Sequence, residues 1–168
     1  WENKYDDTTR KGGLKLKNTQ ILVDIDTTAR KLSKTDVLNQ DDLDQRVAVL
    51  TAKLEYGKQE GAVNPVDAEK NKDEFEKILY SNLINNKATE AQEEVGQIAY
   101  PHQNEYIENR VKTYSDIYDR AEQDIGIGKL GGKSVIYPEK TQVVEKFSDD
   151  LRKLAINQRI SDVEDIQA

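Results

Sequence analysis

At 168 residues the chain is long enough for one domain with a buried core, and 36% hydrophobic against 34% charged residues suits narrow apolar stripes on amphipathic helices. A formal net charge of −7 repels phosphate backbones and anionic lipid, which argues against nucleic acid as a partner, and no apolar run approaches the roughly 20 residues of a membrane-spanning helix. Absence of cysteine excludes disulfides, thiolate chemistry and Cys-based zinc sites.

Residues 1–13, WENKYDDTTRKGG, have no periodicity and close on a glycine pair. They read as a flexible polar tail, with a single domain over residues 14–168. The chain contains no Met and opens on Trp1, which fits removal of a leader. Together these features predict an exported bacterial domain at the cell surface, tethered by its N-terminal region, with a lipid anchor as one form of tether.

A first helix is predicted over 17–33, with Ile21, Ile25, Ala29 and Leu32 on one face and Asn18 or Thr19 as its cap. A second, over 41–60, opens on Asp41 or Asp42 and carries Leu43, Val47, Leu50 and Leu54 at steps of 4, 3 and 4. Gly57 and Gly61 weaken its end, and Asn64-Pro65 stops it. A third covers 67–85, burying Phe75, Ile78, Leu79 and Leu83, and Asn85-Asn86 ends it.

Thr89, with Gln92 three residues on, resembles a capping box for a further helix. Ile107, Val111, Tyr114, Tyr118, Ala121 and Ile125 then form a stripe at steps of 4, 3, 4, 3 and 4. Pro101 lies between, so one long helix over 89–125 is kinked there, or a new one starts there. GIGKLGGKSVIYP, residues 126–138, reads as a flexible Gly-rich loop. A last helix over 139–157 places Val144, Phe147, Leu151 and Leu154 together, and Ser161 caps a final turn holding Ile160, Val163 and Ile166. The fold class is therefore all-α, an antiparallel helical bundle of about five helices joined by short connectors.

Motifs for chemistry are sparse. Gly126, Gly128 and Gly131 match G-x-G-x-x-G, but a dinucleotide site needs a strand before the loop and a helix after it, and here a helix precedes. The phosphate-loop pattern fails because Ile127 stands where its first Gly belongs. His102 and Glu105 lie one helical turn apart, as metal ligands do, but a di-iron bundle needs two histidines and this chain has one. Asp24-x-Asp26 departs at once from the calcium-loop pattern. No Gly-x-Ser-x-Gly occurs, and a lone histidine leaves little for nucleophilic catalysis. The reading is a chain without catalytic, metal or cofactor site.

Exposed Tyr is enriched where proteins meet. Tyr100, His102, Glu105 and Tyr106 around Pro101 form the first predicted contact patch, and Lys129, Lys133 and Tyr137 the second. The functional expectation is a non-enzymatic domain that binds a host or envelope protein through helical faces. The alternatives are a structural subunit of a phage, secretion or coiled assembly, and a bundle that binds a small ligand or metal.

Overall fold

The computed structural model describes the backbone of residues 2–126 and 137–167, and the side chains of 13–126 and 140–165. It is all-α: α1 (Glu2–Ser33), α2 (Gln40–Gln59), α3 (Pro65–Glu94), a single 3-10 turn (Val95–Gln97), α4 (Tyr100–Ile125) and α5 (Tyr137–Gln167), with no strand among the described residues. The chain divides into two compact units, residues 1–36 with 41–76, and residues 37–40 with 77–168.

In the first unit α1 and α2 run antiparallel, since Asp24 meets Lys53 at 2.6 Å while Lys17, earlier in α1, meets Glu60, just past the end of α2, at 2.9 Å. Both pairs are exposed and contribute little stability. Ile21 and Ile25 of α1, Leu43, Leu50 and Leu54 of α2, and Val63 are buried, with Ile21, Ile25 and Val63 gathered around Gly57. Residues 2–13, expected as a tail, form the first turns of α1. Each glycine of the pair costs only about 1 kcal/mol of helix propensity. Thr19 does not cap a helix; its hydroxyl donates to the Lys15 carbonyl one turn back.

The α2–α3 connection is built from its sequence. Gly61 takes φ 74°, and the amides of Gly61 and Ala62 donate back to Lys58 and Gly57 carbonyls at 3.1 and 2.8 Å. That is the Schellman ending, which favours Gly at this position. Asn64 then caps α3, accepting from the Asp67 amide at 2.8 Å and donating to its carboxylate at 2.8 Å, with Pro65 as the first helical residue. Gly57, expected only to weaken α2, is buried: a Cβ there would stand 3.0 Å from Val63 and 3.2 Å from Ile25. Arg46 closes this unit by donating to the Leu32, Thr35 and Asp36 carbonyls, at 2.8–2.9 Å, and to Asp42. Asp42 is thus Arg46's partner, and α2 opens at Gln40.

α3 does not stop at Asn85-Asn86. Asn82 accepts from the Val37 amide and Asn86 donates to the Val37 carbonyl, each at 3.0 Å. Those side chains are engaged with another strand of backbone, so they do not compete with their own helix. Ile78, expected in the core, is 52% exposed. The break falls at 95–99 instead, where Ile98 and Ala99 are extended. In a continuous helix Pro101 would have no N–H to offer the Gln97 carbonyl, and its ring would crowd that carbonyl. The proline therefore sits in the first turn of a separate α4, and no kinked 89–125 helix exists.

In the second unit α4 lies antiparallel to both its neighbours. Tyr80 and Glu94 of α3 meet Asp124 and Tyr106 of α4 respectively, and Asp119, Tyr114 and Tyr100 of α4 meet Lys140, Phe147 and Arg159 of α5. α4 and α5 meet where the Tyr114 and Phe147 rings stack at 4.2 Å, and Ile107, Tyr114, Ile117 and Ala121 of α4 and Phe147, Leu151 and Ala155 of α5 are buried. Ile117 was missing from the expected stripe, and so was Gln103, whose buried amide reaches the Val95 carbonyl at the helix break. α5 continues through Ser161 to Gln167 as one helix, longer than the 139–157 expected. The Gly-rich segment lies outside the described residues from 127 to 136.

Candidate protein-contact surface

α5 presents two apolar stripes. Phe147, Leu151 and Ala155 face α4 and are at most 5% exposed. Ile156, Ile160 and Val163 follow at steps of 4 and 3 on the other side, and stand 48%, 53% and 52% exposed. With Arg159 and Glu164 at its edges, this outer stripe lines an open groove of about 320 Å³. One turn of side chains links it to α4: the Arg159 guanidinium lies 4.6 Å from the centre of the Tyr100 ring, and Tyr100 is 65% exposed. An Arg over an exposed Tyr, beside three half-bare aliphatics, is the composition of an interface centre.

The predicted patch around Pro101 divides. Tyr100 joins the α5 groove through Arg159, and His102 and Glu105 stand exposed on the first turns of α4. Tyr106 is turned inward: its hydroxyl donates to Glu94 at 2.6 Å, and Arg110, 5.1 Å from its ring centre, also reaches Glu94 at 3.3 Å and Glu90 at 3.5 Å. Burial and the Glu94 carboxylate push the Tyr106 phenol up to about 12. Lys129 and Lys133 lie outside the described residues, and Tyr137 is the first residue of α5, its side chain undescribed. Arg159, Ile156, Ile160 and Val163 had not been singled out as contact residues. Their signal was present, since Ile156–Ile160–Val163 is helical spacing, but a helix start placed at Ser161 cut it in two.

A second feature is an open cleft of about 450 Å³ beside α4, lined by Lys87, Asp116, Arg120 and Gln123 over Ile117. Its wall rests on a network around the buried Tyr80. Gln40 donates to the Tyr80 hydroxyl at 3.0 Å, and that hydroxyl donates to Asp124, which also accepts from Arg120 at 3.4 Å. Burial first, and then the Asp124 carboxylate, drive the Tyr80 phenol far above the usual range. No group of three His, Cys, Asp or Glu side chains able to hold a metal occurs among the described residues. No described helix is long and apolar enough to cross a membrane.

Comparison with protein-family models, curated proteins and solved structures found no match.

Proposed function

We propose that the chain is a protein-binding domain, displayed outside the bacterial cell, which engages its partner through the surface formed by Tyr100, Arg159 and the outer stripe of α5. The observation that carries this reading is the position of Ile156, Ile160 and Val163. Three aliphatic side chains at half exposure on consecutive turns cost solvation without serving the interior. Each one alone is ordinary on a protein surface; aligned beside an Arg-covered Tyr they make one binding strip. A partner helix laid along them is read as anchors at helical spacing. Charged flanks keep the remainder soluble, and a cysteine-free chain suits display without an oxidative folding step.

The test is a capture experiment with two baits: the wild-type chain, and a variant carrying Ile156→Ser, Ile160→Ser and Val163→Ser. Proteins from envelope and host extracts retained by the wild type and lost from the variant support the reading. Equal retention by both baits, or none by either, contradicts it. Protease treatment of intact cells tests the location, because a displayed domain is removed and an internal one is spared.

The cleft beside α4 supports a second reading, a small polar ligand held between cationic Lys87 and Arg120 and anionic Asp116. Its volume lies within the range of ligand pockets, and the Tyr80 network fixes one wall. Thermal-shift screening with amino acids and other zwitterions tests it.

A further inference from the structure

We propose that the outer stripe of α5 pairs with the same stripe of another copy of this chain, with the two helices parallel and in register. This rests on the reading of that surface as a protein-contact site and names its occupant. The 4-then-3 spacing sets Ile156, Ile160 and Val163 at successive d, a and d positions of a heptad. Arg159 then falls at g and Glu164 at e, on opposite edges of the groove that they line with the three aliphatics. In a parallel pair, the g residue of one helix faces the e residue of the other, five positions later. Arg159 and Glu164 are separated by that interval, so each copy sets its arginine against the other's glutamate, twice about a two-fold axis.

An antiparallel pair does the reverse. It sets g edge against g edge, so Arg152 and Arg159 of one helix confront the same arginines of the other, and Glu164 gains no cation. The limits of the seam are also written in the sequence. The preceding a and d positions are Lys153 and Asp149, charges that end the apolar contact before Ile156. A seam of three apolar positions is short, so association depends on concentration. Ile at both a and d shifts preference from two strands towards three or four, and the g-to-e pairing repeats between each neighbouring pair of parallel helices, so the limiting mass is a small multiple of the monomer.

Sedimentation of the whole chain from micromolar to millimolar concentration, at physiological salt to screen the net charge of −7, tests the proposal. The average mass is expected to climb towards a multiple of the monomer. Arg159→Glu is expected to weaken association at least tenfold, and Arg159→Glu combined with Glu164→Arg to restore most of it. Both variants lose the Tyr100 contact, so the recovery isolates the Arg159–Glu164 pairing, and circular dichroism confirms that each is folded. The absence of native cysteine permits a geometric check. Val163→Cys is expected to oxidise to a covalent dimer, because parallel registry sets position 163 beside its own copy, and antiparallel pairing does not. A wild-type chain that stays monomeric throughout overturns homotypic pairing, whereas the two-bait capture experiment decides separately whether the surface binds protein. Association without recovery in the double variant and without the crosslink overturns the parallel register.

Discussion

The two stripes of α5 are built from similar side chains at similar spacing, yet one is sealed and the other open. Phe147, Leu151 and Ala155 are at most 5% exposed, with Phe147 stacked on Tyr114 of α4; Ile156, Ile160 and Val163 stand about half exposed. The difference teaches that periodicity identifies a stripe but does not say which chain completes it. A core stripe must be matched by a second stripe within its own fold. An open one of the same composition is matched elsewhere, or it remains a cost in solubility.

Truncation separates the two. Leu151→Ala removes a fully buried side chain and should cost about 2–5 kcal/mol in chemical denaturation. In the other unit, Arg46→Ala strips carbonyls and a carboxylate of a charged donor, and a loss of about 2 kcal/mol is expected from the same measurement. Gly57→Ala should also destabilise, by about 1 kcal/mol, because overpacking against Val63 and Ile25 outweighs the gain in helix propensity. Ile160→Ser on the outer stripe should leave stability within about 0.5 kcal/mol while abolishing capture or association. If Ile160→Ser matched Leu151→Ala in cost, the two stripes would not differ as described.

Alkaline titration sharpens the same contrast between interior and surface. Tyr80, Tyr106, Tyr114 and Tyr118 all have phenols raised by burial in the folded chain. The folded state then holds these protons more tightly than the unfolded state. Their contribution is complete below the ordinary phenol value of about 10 and is lost as pH rises through the folded values. Stability followed by denaturation should therefore be flat in this respect up to about pH 10 and fall above it. Tyrosinate absorbance should show Tyr106 ionising near 12, by difference from Tyr106→Phe.

The sequence made some of this legible and hid the rest for physical reasons. The all-α fold follows from periodicity, which is local. Three of the four expected α2 positions, Leu43, Leu50 and Leu54, and four of the six expected α4 positions, Ile107, Tyr114, Ala121 and Ile125, are buried as the spacing requires. The end of α3 was misplaced because Asn86, one of the two asparagines that look like breakers, donates to the Val37 carbonyl 49 residues away. Tyr106 resembled a surface tyrosine because Glu94 and Arg110 engage it only once α3 and α4 lie side by side. Tyr100 was legible as exposed and aromatic; its link to Arg159 joins distant parts of the sequence and required the antiparallel packing of α4 and α5.

Thiol reactivity at a single introduced cysteine tests the central claim most directly. With Ile160→Cys in a chain that has no other cysteine, labelling should be fast when the protein is dilute and alone. It should slow as the chain is concentrated or its partner is added, whereas Ala155→Cys stays protected throughout. A thiol at position 160 that labels at one fast rate under every condition, or is already protected in dilute monomer, would contradict the account.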